Sequence, residues 1–231
     1  MRASSKEFQL PIQSEIEEFR SNLLEWYRAN GRNFHWRKKS IPIYQKVIAE
    51  VLLQRSRAET IAAFYPVYVT RFPSWASLAS ATEEEIGEFL KPIGLWRRRA
   101  SSILKLAAEM RRRNGKFPRT REEIEALPGV GQYIANAVMM FVHGEPQPLL
   151  DVNMARVLER YFKPRILADI RYDPYLQQLA KNVINCDDYA ALNWAILDLA
   201  SMTCKARTMK HEECCLRHQC RYFMIMVREL P

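Results

Sequence analysis

The sequence predicts an all-α fold. Apolar residues recur at steps of three and four almost throughout, the spacing of a helix with one buried face. No run alternates apolar and polar residues cleanly enough for a strand. Helix-start signals punctuate the chain at Thr82, Thr120 and Asp173. Together these features imply roughly ten short helices.

The first helix is expected over 13–29, where Ile12, Ile16, Phe19, Leu23 and Trp26 share a face and Asn30-Gly31 marks the stop. A second is expected over 43–55, with Ile43, Val47, Ile48, Val51 and Leu52 on one side. Thr82 with Glu85, and Thr120 with Glu123, have the spacing of reciprocal capping boxes, so each opens a further helix. The one after Thr120 is short, about 121–126. A tight turn, Leu127-Pro128-Gly129-Val130-Gly131, then leads into a helix from Gln132-Tyr133 to about His143. A Gly144/Pro146/Pro148 loop precedes Asp151, and the next helix spans Asn153 to about Tyr161. Asp173 followed by Pro174 reads as an N-cap with proline in the first turn.

With 231 residues, 48% of them hydrophobic, the chain can build one large domain or two small lobes. Only 7 glycines argue against a glycine-rich nucleotide-binding sheet protein. Lys and Arg outnumber Asp and Glu by 35 to 26, a net charge of +9 that favours a polyanionic partner. No stretch of 18 apolar residues suggests a membrane span, and the N-terminus lacks a secretory apolar core. An intracellular, monomeric protein with reduced thiols is expected. Four of its five cysteines (Cys204, Cys214, Cys215 and Cys220, but not Cys186) fall in the last 28 residues, a clustering that suggests a metal site more than disulfides.

The most informative stretch is the hairpin around Gly129 and Gly131. Its glycines permit positive φ and close approach of a ligand. Backbone N–H groups at the start of the following helix favour an anion, and a DNA phosphate suits that place. The plainer reading is an ordinary helix connection. Asp151, 18 residues beyond Tyr133, reads plainly as a helix cap.

The string LPGVGQYIANAVMMFVHGEPQPLLDVNMARVLERYF resembles the endonuclease III/MutY superfamily, whose signature is a helix-hairpin-helix, a Gly/Pro-rich loop and a catalytic aspartate. The resemblance extends from Phe34-His35-Trp36-Arg37 to Cys220 and includes Ala49–Arg55 and Ile93-Gly94-Leu95-Trp96. It implies two helical lobes with a DNA-binding cleft: 36–146, a six-helix domain with the hairpin, and 1–35 plus 147–231, a helical domain ending in a metal-cluster loop.

The resemblance also assigns roles. Asp151 becomes the essential carboxylate, stabilising oxocarbenium charge on the sugar and positioning water. At Tyr133, bifunctional members carry a lysine that forms a Schiff base. A phenol cannot do so, which implies a monofunctional glycosylase. Tyrosine here matches the thymine-DNA mismatch glycosylases, whereas the adenine enzymes usually carry serine. Glu50 matches a glutamate shared by both groups and is placed to protonate or hydrogen-bond the departing base. Gln54 and Arg55 lie where the family fills the gap left by the flipped base, and Leu95 where it wedges the opposite strand. Arg97, in the run Arg97-Arg98-Arg99, is the phosphate contact beside the wedge. The plain readings are a packed aromatic for Tyr133, a solvated helix glutamate for Glu50, core for Leu95 and a solvated face for each arginine run.

The family's iron–sulfur loop has the spacing C-x6-C-x2-C-x5-C. The same spacing holds here as Cys204, His211, Cys214 and Cys220, with a histidine in the second position. Imidazole can ligate iron in such clusters. A [4Fe-4S] cluster with His211 as ligand is expected. Cys215 as the fourth ligand, a Cys3His zinc site and a lost cluster are the other readings. The loop's basic residues, Lys205, Arg207 and Lys210, would then lie near the DNA backbone.

These features predict a monofunctional glycosylase acting on thymine or uracil opposite guanine in double-stranded DNA. A MutY-like adenine glycosylase is the alternative enzyme, supported by Glu50 and Trp36-Arg37. Tyr133 speaks against it, and so do the eleven residues after Cys220, too few for the separate C-terminal recognition domain of those enzymes. A non-catalytic DNA-structure binder is the alternative of another class.

Overall fold

The computed structural model describes residues 8–228. Among these residues there are twelve α-helices and four single 3-10 turns, and no strand beyond an isolated bridge between Cys204 and Met209. None of these helices is long and apolar enough to cross a membrane. The chain divides into two compact units. One takes the described residues up to Arg32 and from Pro146 onward, and the other is Asn33–Glu145.

The continuous unit holds seven α-helices where six were expected: α2 (Ile43–Leu53), α3 (Ala58–Arg71), α4 (Trp75–Ala79), α5 (Glu83–Leu90), α6 (Trp96–Arg112), α7 (Arg121–Glu125) and α8 (Gln132–His143). Its core gathers Ile48, Leu52, Ile61, Tyr65, Tyr68, Phe72 and Leu78, all fully buried. α6 lays Ala100, Ile103, Leu106, Ala107 and Met110 into that core against α4 and α5, and α2 packs on α8. Two of the buried tyrosines have partners: the Tyr44 hydroxyl donates to the Phe72 carbonyl at 2.6 Å and that of Tyr65 to the Gln45 carbonyl at 2.8 Å. At Thr82 the capping box is complete, with Glu85 N–H donating to the hydroxyl and the Glu85 carboxylate accepting from Thr82 N–H. At Thr120 only half forms. The hydroxyl accepts from Glu123 N–H but donates to the Glu123 carboxylate.

The discontinuous unit joins α1 (Gln13–Asn30) to α9 (Val152–Tyr161), α10 (Pro174–Ile184), α11 (Tyr189–Met202) and α12 (Arg221–Arg228). α1 buries Ile16, Phe19 and Leu23, and it packs on α11. Ile12, counted on that face from its spacing, is 64% exposed, because it precedes the first helical turn. Gly31 does end α1, but through space rather than left-handed backbone. Its φ is −59°, and a Cβ there would meet the Tyr27 ring and carbonyl at 2.6 Å.

Three buried or partly buried charges pin this unit. Arg20 of α1 donates to the carbonyls of Asn182, Val183 and Asn185, so a cation occupies the C-terminal end of α10, where the helix dipole favours one. Asp198 of α11 is wholly buried and accepts from Arg32 through both the backbone N–H (2.8 Å) and the guanidinium Nε (2.7 Å). Asp173 caps α10 as expected, accepting from Leu176 N–H at 2.6 Å. Its other oxygen accepts from the N–H groups of Ile166 and Leu167, folding the preceding loop onto the cap.

Candidate functional site

In the continuous unit the hairpin forms as α7, a turn and α8. Gly129 has φ +74°, and a Cβ there would sit 3.2 Å from that of Ser102, so conformation and space both select glycine. Gly131 is the N-cap of α8 with ordinary φ, and it offers no side-chain acceptor to the first turn. Nothing lies within 4 Å of where its Cβ would be. Among the described residues the space beside Gly131 is therefore open, at the helix end where backbone N–H groups attract anions.

In the first turn of α8, the half-buried Tyr133 donates its hydroxyl to Glu50 Oε2 at 2.9 Å. Glu50 sits on α2, packed against α8, and is only 2% exposed. The solvated reading of Glu50 is thus excluded. Tyr133 does pack against the core, yet its polar end is committed to the carboxylate. Ile134, beside it, is fully buried.

α2 ends at Leu53. Gln54 and Arg55 follow as an exposed turn, with Arg55 in left-handed backbone at φ +58°. A second exposed tip precedes α6: Gly94 at φ +71° and Leu95 at φ +52°. Leu95 is 54% exposed, which overturns the core reading of this residue. Arg97 is exposed, its guanidinium 4.5 Å from the centre of the Trp96 ring. The arginine run is not uniform, because Arg99 is buried. Three arginines in succession gave no sign of this. Helical spacing did, since Arg99 precedes the buried Ile103 by four residues.

In the discontinuous unit, Asp151 is the N-cap of α9. Its Oδ1 accepts from the N–H groups of Asn153 (2.8 Å) and Met154 (2.9 Å), and its Oδ2 from Asn153 Nδ2 at 2.7 Å. The capping reading is correct as geometry and leaves the carboxylate half-buried. Two residues not singled out from the sequence hold this corner. Asn193 of α11 is fully buried. It accepts from Leu149 N–H and donates to the Gln147 carbonyl, fixing the run into Asp151. Arg156 donates to the Asn153 side chain and to the carbonyls of Ala200 and Cys204. A buried asparagine in an apolar helix was the available signal.

Farther along the same unit, Cys204, His211, Cys214 and Cys220 line one pocket, while Cys215 is not part of its wall. Burial pushes the Cys214 thiol up to about 11, and nearby Cys204 and Cys220 push it further in the same direction. Burial raises Cys220 as well. Crowded thiols of this kind are stabilised as thiolates only by a cation. Arg160 closes one side, donating to Cys204 Sγ at 3.2 Å and to the Lys205 carbonyl at 2.8 Å. The donor set therefore suits a thiolate-bound metal group. Among the described residues no three or more His, Cys, Asp or Glu side chains are gathered tightly enough to hold a metal ion as they stand. Lys205 and Arg207 are exposed, whereas Lys210 is paired with Glu213 at 2.8 Å.

The profile of the HhH-GPD superfamily base excision DNA repair proteins matches residues 48–166. The chain is 35% identical to a thymine-DNA glycosylase of Aeropyrum pernix over 90% of this chain and 95% of that one. It is 34% identical to a thymine/uracil-DNA glycosylase of Pyrobaculum aerophilum over 89% and 91%. Among solved structures, that of a thermostable thymine-DNA glycosylase superposes with a TM-score of 0.83 at 28% identity, covering 92% of this chain and 98% of that one.

Proposed function

This chain belongs to the HhH-GPD superfamily of base excision DNA repair proteins, and from that premise we propose that it is a monofunctional N-glycosylase removing thymine or uracil mispaired with guanine. The observation that carries this reading is the hydrogen bond from the Tyr133 hydroxyl to the buried Glu50. A phenol stands where strand-cleaving members of the superfamily use an amine, so no Schiff base forms on the sugar. A carboxyl group held at a known angle in a dry setting is suited to hydrogen-bond one base edge and reject another.

The hairpin's open Gly131 end receives a backbone phosphate. Gln54 and Arg55 fill the gap left by the everted nucleotide, and Leu95 wedges the opposite strand. As the C1′–N1 bond breaks, its electron pair leaves with the base, helped by a proton or hydrogen bond from Glu50. Asp151 stabilises the cationic sugar. Water adds at C1′ and surrenders a proton to Asp151, leaving an abasic site. Cys204, His211, Cys214 and Cys220 would hold a [4Fe-4S] cluster, supported by their shared pocket and by the place of Cys215 outside it. Such a cluster supplies structural cross-linking of the loop.

A panel of duplexes carrying one G·T, G·U, A·8-oxoguanine or thymine-glycol pair tests this function. Excision at G·T and G·U, with strand breaks only after alkali, is expected. Preference for adenine opposite 8-oxoguanine, or cleavage without alkali, would overturn it.

A further inference from the structure

Arg99 lies on α6, is 8% exposed, and has four acceptors, none of them a carboxylate. Its Nη1 donates to the carbonyls of Ile93 (3.3 Å) and Gly94 (3.2 Å). Its Nη2 donates to the carbonyl of Gln54 (2.7 Å) and to Ser56 Oγ (3.1 Å). One planar cation thus joins two loops some forty residues apart in sequence. We propose that Arg99 is a positioning residue, bolting the tip that carries Gln54 and Arg55 to the tip that carries Leu95 so that both enter the duplex as one rigid fork. The inference rests on the assignment of those tips to the vacated stack.

Two properties argue for a bolt rather than a stray buried charge. A guanidinium taken from water is costly unless its donors are all met, so displacing either loop would strand N–H groups. Burial, which disfavours the charged form of Arg99, shows how little water is present to replace them. Each tip also holds a residue with a side chain in left-handed backbone, Arg55 at φ +58° and Leu95 at φ +52°. Such conformations persist only where the surroundings enforce them. The Arg99 bonds reach Gln54 and Gly94, the residues immediately before both.

The test uses a G·U duplex with 2-aminopurine next to the mismatch, whose fluorescence rises when the stack opens. Saturating wild-type protein raises the signal. Arg99→Met keeps the buried stem and removes the fork, so the rise at saturation should fall to less than about half. A loss of mere fold stability would leave the saturated signal unchanged, and that result would overturn the proposal. Arg99→Lys, which offers one nitrogen instead of two, should give an intermediate rise. If the Met variant does not fold, a wild-type signal from the Lys variant overturns the proposal instead. Leu95→Ala tests the underlying assignment separately. If it leaves the signal intact, the tips do not open the stack and both ideas fall. If it lowers the signal while Arg99→Met does not, only the bolt is wrong.

Discussion

The capping role of Asp151 and the catalytic role proposed for it can be separated by substitution. Its carboxylate accepts three hydrogen bonds within its own first helical turn, which fix its orientation. Asparagine is as good an N-cap as aspartate but carries no charge. Asp151→Asn is therefore expected to keep its melting point and its DNA affinity while losing at least about a hundredfold in single-turnover excision. Asp151→Ala should lose the excision and about 1 kcal/mol of stability besides. Turnover by the Asn variant near the wild-type rate would remove Asp151 from the chemistry. Sequence alone made the cap visible, because an aspartate just before a helical run satisfies the orphan N–H groups locally. It could not reveal the committed hydroxyl of Tyr133, since a bond between residues 83 apart depends on how α2 and α8 pack.

At the scale of the element, helix starts were the most legible feature. Asp173 shows why: an N-cap satisfies orphan N–H groups by local chemistry, which local sequence specifies. The structure adds two loop N–H groups on the same carboxylate. Asp173→Ala should therefore cost about 3 kcal/mol, more than a simple cap, as urea unfolding would measure. A loss of about 1 kcal/mol would mean that the loop contacts contribute nothing. Helices lacking a polar face were not legible. α11 buries Leu192, Ala195, Ile196, Leu199 and Ala200 together with Asn193 and Asp198, so periodicity offers little contrast. α3 carries Pro66 in its interior, a residue that normally argues against a helix.

For the molecule as a whole, the surplus of positive charge pointed towards a polyanion, but it did not say which basic groups would be available to one. Arg99 is spent inside a core and Lys210 on a neighbouring glutamate. The C-terminal loop has a thin apolar content of its own, and only Leu216 is buried between Lys205 and Cys220. A cross-link through its cysteines is expected to supply what packing does not. Protein purified without oxygen should contain about four irons per chain and absorb visible light. His211→Cys should retain that iron, and His211→Ala should lose part of it. Protein with no iron, or with zinc in its place, would refute the assignment.

The order in which the pieces leave the ribosome follows from the split unit. α1 is made first, yet the helices that cover Ile16, Phe19 and Leu23 come only after the whole of Asn33–Glu145 has been synthesised. The inserted unit can complete its own core in that interval. That helix meanwhile waits as a sticky, unpartnered stripe, and a nascent chain stalled midway would be exposed there to aggregation and chaperone capture.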